Sequence, residues 1–284
     1  MSAQENAATG ERIVIVDDFK FAIDAMDSLA LGRGQAFEPE ILAALRRWVR
    51  PGNTVVDIGA NIGYFTAHLA RLVGDGGTVH AFEPEPANFA LLTANMGANG
   101  LAWVRLHQAA VGAQPGTATL HTSEYNGGMH RLYESVCCTG PGFDVPVLRL
   151  DQVLAGVHVD LIKIDIEGYE PAALLGAEDC LRANPRLKIV SEYCPASMLE
   201  AGGQPSAMLR WLGERGFGPH RLDGTALDVQ ELQHDAQRYE KYGRERFLAD
   251  CQGLSNPQIL DTIVRLSAEL GCTRPVIENL LFMR

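Results

Sequence analysis

Five carboxylates and one histidine carry the chemistry this chain offers, and two glycines mark where it happens. Asp57 lies in a short apolar run with Val55, Val56 and Ile58. Gly59, Ala60, Asn61, Ile62 and Gly63 follow, then the apolar start of a helix. The β-branched run suits a buried parallel strand. Gly59 and Gly63 permit backbone angles and close approaches that a Cβ would block. Asp57 puts a carboxylate at the C-terminal end of that strand, where open α/β sheets bind ligands. About twenty residues past Gly63, strand-like 78–82 ends in Glu83, the spacing of an acid that holds a ribose. Together these point to a nucleoside-containing cofactor. Further on, Asp165 and Glu167 sit at and just beyond the end of another apolar strand, and Glu192 ends the next. Carboxylates meeting there could deprotonate a hydroxyl, orient it, or hold a divalent metal through oxygen ligands. Lys163 shares a face with Asp165, because strand side chains alternate with period two. His130 lies in Gly-rich 124–131, near His121, and its ordinary pKa suits a general base.

Each group also has a plainer reading. Glu83 is a favourable helix N-terminal acid ahead of Pro84, Glu167 could cap the helix that follows, and Glu192 is as readily structural. Lys163 could simply pair with a carboxylate, and a loop histidine such as His130 is commonly solvated. His68, His80 and His107 read as structural, and Met96 and Met129 as core and loop residues.

The elements that must position these groups alternate. Residues 1–11 read as disordered; 12–16 and 19–23 read as paired strands, 30–37 as a loop and 39–50 as an amphipathic helix opened by Pro39. Strand 54–58, helix 62–72, strand 78–82 and helix 86–96 follow. Strand 104–111, strand-like 117–121, the Gly-rich segment and a returning strand 143–148 come next. Strand 160–165, helix 171–184, strand 187–192, helix 206–215 and strand 218–222 continue the pattern. Repeated βα units specify a mostly parallel sheet with helices on both faces. Charged helix 228–250 and amphipathic helix 256–271 precede a closing apolar strand, 276–283. That helical insertion, 226–272, reads equally as a lid or as a homodimer contact. We divide the chain into an N-terminal extension, 1–50, and a main domain, 51–284.

The chain has 284 residues, of which 46% are hydrophobic and 21% charged, ordinary for a globular enzyme. Its 24 Lys+Arg against 35 Asp+Glu leave a formal net charge of -11, which argues against nucleic acid or an anionic membrane as main partner. The six cysteines form no CxxC or zinc spacing and read as free thiols in a reducing compartment. Without a signal-like N-terminus or a membrane-length apolar run, the expected location is cytoplasmic.

Four segments, PGNTVVDIGANIGYFT (51–66), VHAFEP (79–84), LIKIDIEGYE (161–170) and VSEY (190–193), together resemble the FkbM family of S-adenosylmethionine-dependent methyltransferases. Asn95, Asn99–Gly100 and the closing NLLF (279–282) also fit. The resemblance implies a Rossmann-like, seven-stranded class I methyltransferase fold with a C-terminal antiparallel strand. It further implies S-adenosylmethionine held by Asp57, Gly59, Ala60, Asn61, Gly63, Tyr64, Phe65, Glu83 and Pro84, with adenine near Gln108, Ala109 and Ala110. Asp165 would stand at the boundary between cofactor and acceptor. Asp57 would repel a pyrophosphate and attract an ammonium or sulfonium, which disfavours a nicotinamide cofactor. Asp165, Glu167 and His130 are the catalytic candidates; Asn126, Gly128, His130 and Glu192 would face the acceptor. A metal is not indicated, although Asp165, Glu167 and Glu192 could hold one. The expected reaction is O-methylation of a small molecule or glycan. N- or carboxyl-methylation by the same fold and an inactive cofactor-binding protein are the alternatives.

Overall fold

The computed structural model describes residues 4–5 and 12–284. The reading of 1–11 as disordered lies outside these residues, except that Gln4–Glu5 (β1) pair with Ile13 and Arg12. They join β2 (Arg12–Val16) and β3 (Phe19–Ile23) in a small antiparallel sheet. A helix, α1 (Pro39–Trp48), then leads to β4 (Thr54–Ile58), α2 (Tyr64–Val73), β5 (Thr78–Phe82), α3 (Pro86–Ala98) and β6 (Val104–His107). A second small sheet holds β7 (Ala110–Val111), β8 (Gly116–His121) and β9 (Gly142–Leu148). Next come α4 (Leu150–Val153), β10 (Leu161–Ile164), α5 (Glu170–Leu175), α6 (Glu178–Ala183), β11 (Lys188–Tyr193), α7 (Pro195–Glu200), α8 (Pro205–Glu214) and β12 (Gly218–His220). The chain ends with α9 (Val229–Tyr242), α10 (Arg244–Cys251), α11 (Asn256–Glu269) and β13 (Glu278–Met283).

The main sheet has seven strands in the order β12-β13-β11-β10-β4-β5-β6. β13 runs antiparallel between β11 and β12, while β11, β10, β4, β5 and β6 pair in parallel. This is the Rossmann-like sheet that the sequence implies. Its strands are apolar on both sides because helices cover both faces. Val55, Val79, Leu161, Val190 and Leu281 enter one core layer with α1, α2, β2 and β3. Their neighbours Val56, Ile162, Ile189 and Leu280 enter the other. From β4 the chain proceeds outward through β5 and β6, then returns to β10 on the other side. The C-terminal ends of β4 and β10 thus form the crevice at which such sheets bind ligands.

Several expected elements differ. Segment 104–111 is not one strand: β6 belongs to the main sheet and β7 to the small one, with a tight turn through Gln108 and Ala109. The expected helix 171–184 is divided at Gly176, where a Cβ would lie 2.1 Å from the Gly112 carbonyl oxygen. Helix 228–250 breaks at Gly243, which has φ 91°. The short helices α4 and α7 were not expected.

The residues before Pro51 share the main core, and two asparagines, Asn95 in α3 and Asn99 just past its end, fasten them there. Asn95 accepts from Ala22 N at 2.7 Å and donates to Ala22 O and Ile62 O at 3.0 and 2.8 Å. Asn99 makes the equivalent pair of bonds to Lys20. In effect the side chains extend β3 as a sheet partner would. The 226–272 insertion buries Tyr239, Phe247, Ile259 and Ile263 against Cys137, Cys194 and Leu199. Asn256 also donates to Cys137 O at 3.3 Å. Among the described residues no helix is long and apolar enough to cross a membrane.

Candidate active site

A cavity of about 210 Å³ opens in the crevice at the ends of β4 and β10. Its floor is the turn after β4. Gly59 has φ 81°, and a Cβ there would meet Asp165 O at 1.9 Å. Only glycine fits. Gly59 N and Ala60 N both donate to Phe82 O at 3.0 Å, and Asn61 N donates to Glu83 Oε2 at 2.8 Å. These three amides are therefore directed away from any bound anion. Tyr64 and Phe65, in the first turn of α2, also line the cavity, and their amides lack intrahelical partners. Gly63 caps that helix with φ 92° but does not line the cavity.

Glu83 lines the cavity beside Pro84 and is held by a second backbone bond, from Glu85 N to Oε1 at 2.9 Å. Burial pushes its pKa up to about 7, against the pull of these two amides. Ala109 and Ala110 line the same end. Gln108, the other residue expected near adenine, does not line the cavity and is exposed at the turn between β6 and β7. Asp57 is likewise absent from the cavity lining. It is wholly buried beneath the cavity, bonded to the Thr66 hydroxyl at 2.6 Å and 3.7 Å from Lys163 Nζ. Burial raises its pKa, while Lys163 and Thr66 act to lower it. Lys163 in turn reaches Asp165 at 3.3 Å and lies over the Phe65 ring. Although burial disfavours its charge, Asp165 and Asp57 hold its pKa above the ordinary value.

The long β8–β9 connection forms the opposite wall. It folds back so that His121 and Arg131 exchange backbone bonds, and Asn126, Gly128, Met129 and His130 reach the cavity. Gly127 O accepts from Asn88 Nδ2 at 2.9 Å and Asn61 Nδ2 at 3.3 Å; Gly127 N donates to Ser28 Oγ at 2.8 Å. The N-terminal segment, the glycine turn and this loop are thereby tied together. His130 Nδ1 accepts from Ser123 N at 3.0 Å. A neutral ring so held carries its proton on Nε2 and presents a donor, not a base. Burial lowers its pKa as well.

Glu167 adopts φ 60° and is gripped by Arg131, which donates to its carboxylate and to its carbonyl, each at 2.9 Å. Burial raises the Glu167 pKa and Arg131 lowers it. Arg131 is 4% exposed and also lies 3.8 Å from buried Glu200. Glu192 reaches the cavity, and burial, with Glu167 and Asp165 nearby, raises its pKa well above the usual range. Asp165, Glu167 and Glu192 thus share one cavity. Yet among the described residues no group of three or more His, Cys, Asp or Glu side chains is arranged to hold a metal ion. The sequence reading missed Glu38, Ser28, Leu29 and Phe37, which line the cavity from the N-terminal segment. No spacing rule connects them to the glycine turn. It also missed Arg131, whose partner Glu167 is 36 residues away.

A family model described as the methyltransferase FkbM domain matches residues 57–219. The chain is 36% identical to a 31-O-demethyl-FK506 methyltransferase of Streptomyces tacrolimicus, over 46% of this chain and 62% of that protein. It is 30% identical to a Methyltransferase 1 of Beauveria bassiana, over 44% of this chain and 58% of that one. These matches span less than two thirds of either relative's length. Among solved structures, a SAM-dependent O-methyltransferase of Thermotoga maritima is 16% identical, with TM-score 0.40, covering 74% of this chain and 64% of that one. More than half of the sequence, including the glycine turn and the Asp165–Glu167 edge, falls within the matched model: the chain belongs to the FkbM methyltransferase family.

Proposed function

We propose that the chain is an S-adenosylmethionine-dependent methyltransferase acting on a hydroxyl of a small molecule or glycan. The observation that carries this reading is the composition of the cavity in a chain of this family. Glu38, Glu83, Asp165, Glu167 and Glu192 line it, against the single lysine Lys163. An excess of carboxylate in a partly desolvated cleft favours a cationic ligand and opposes a phosphate. The residues also fit the group in detail. Glu83 is fixed by two backbone amides, so its remaining lone pairs can accept from a ribose. Gly59, without a Cβ, lets the turn pack directly on the Asp165 carbonyl, which brings Glu83 and Asp165 to one cavity.

Bound S-adenosylmethionine supplies a methyl group on a positively charged sulfur that leaves readily. The protein's own contribution is then position and proton management. Asp165 and Glu167 would stand at the edge where the acceptor meets the methyl carbon, and one of them would take the hydroxyl proton as the O–C bond forms and the C–S bond breaks. Arg131 holds Glu167, and Lys163 holds Asp165, so both carboxylates keep fixed directions. His130, whose Nδ1 is occupied by Ser123 N, would use its Nε2–H to orient the acceptor oxygen instead of deprotonating it. Asn126, Gly128 and Met129 would shape the acceptor side. The test is transfer of label from methyl-labelled cofactor to a panel of macrolides, sugars and oligosaccharides. Label on an ether oxygen is expected. Transfer solely to nitrogen or carboxylate acceptors would overturn the hydroxyl assignment.

A further inference from the structure

Glu38 lies outside residues 57–219, the part of the chain that the family model covers. It precedes Pro39 at the start of α1 with φ 42° and ψ 66°. Side chains rarely adopt this left-handed region, and a following proline disfavours helical angles further. Glu38 lines the cavity with Asp165. Oε2 is fully enclosed, and among the described residues it has no hydrogen-bond partner.

We propose that Glu38 is a cofactor-binding residue, forming with Asp165 a two-carboxylate seat for the ammonium group of S-adenosylmethionine's amino-acid arm. This rests on the proposed function above. The argument is one of donors. A buried carboxylate oxygen without a donor is unfavourable, so the complete site must supply an N–H or O–H. Lys163 is already shared between Asp165 at 3.3 Å and Asp57 at 3.7 Å. A trialkyl sulfonium has charge but no hydrogen on sulfur, so it cannot satisfy Oε2. A hydroxyl acceptor has one donor and no charge. An ammonium has both, with three N–H groups, enough to reach Glu38 and Asp165 together. The other acids are less suited: Glu83 is bound by two amides and Glu167 by Arg131. Tyr64 and Phe65 also line this cavity from the first turn of α2, whose amides suit the carboxylate of the same arm.

The experiment is calorimetric titration of the full chain with S-adenosylmethionine, S-adenosylhomocysteine and 5′-methylthioadenosine, which lacks the amino-acid arm. Glu38→Gln should weaken the first two equally, on the order of 10–100-fold for one charge-assisted bond, and leave the third unchanged. Unchanged thioadenosine affinity also reports an intact fold. Glu38→Asn, which tolerates positive φ, should behave alike. Equal affinity of wild type and both variants for all three probes overturns the seat while the cofactor assignment stands. A loss confined to S-adenosylmethionine overturns it by turning the carboxylate to the sulfonium. Weakening of all three overturns it in favour of a structural role. A wild-type chain that binds none of them overturns both this proposal and the methyltransferase reading.

Discussion

Lys163 is 3% exposed and stands between Asp57, which is wholly buried, and Asp165 at the cavity edge. Its removal would leave Asp57 with only the Thr66 hydroxyl. Lys163→Met is therefore expected to cost about 3–5 kcal/mol in urea unfolding, as for a buried pair broken on one side. The double variant Asp57→Asn, Lys163→Met should recover most of that loss; no recovery would show that Lys163 acts through Asp165 or packing alone. Glu38 gives a pH dependence. Burial and then Asp165 push its pKa up to about 7, from 4.5. The folded chain thus holds a proton there that the unfolded chain releases. This contributes stability that is full below about pH 4.5 and lost as pH rises through about 7. Glu38→Gln, which carries no charge, should raise the melting temperature of the unliganded protein more at pH 8 than at pH 5. Parallel melting curves at the two pH values would contradict the shift.

At the scale of elements, the β8–β9 connection and the helical insertion act as one unit. The loop's Met129, Val136 and Cys137 pack with Tyr239, Phe247, Ile259 and Ile263. Asn256, at the start of α11, donates to Cys137 O. The insertion therefore supports the wall that would face the acceptor, rather than the glycine turn that would face the cofactor. Asn256→Ala should speed amide exchange across residues 122–138, since one side chain–backbone bond contributes only about 0.5–1.5 kcal/mol. It should raise the KM of whichever acceptor is turned over and leave cofactor affinity within about twofold. A change in cofactor affinity with no change in loop exchange would contradict this division of labour.

At the scale of the molecule, the N-terminal segment is part of the site. Ser28, Leu29, Phe37 and Glu38 complete the cavity, and Asn95 fixes the strand that precedes them. Asn95 is 1% exposed, so Asn95→Ala would strand buried backbone groups at Ala22 and Ile62. The expected loss is about 2–4 kcal/mol in unfolding, with weaker cofactor binding. Unaltered stability would show that water replaces the amide. The sequence by itself determined the parallel sheet, the glycine turn and four of the acids at the crevice, Glu83, Asp165, Glu167 and Glu192. Those follow from local rules: β-branched runs, period-two alternation, and a turn only glycine can make. The tertiary structure decided which acids line the cavity. Asp57 and Gln108 read as ligand contacts because each sits near a strand end, but one is sealed under the cavity by Lys163 and the other turned outward between two sheets. Glu38 and Arg131 could not be read at all. Their roles depend on side chains meeting across elements distant in sequence, and only packing sets that proximity.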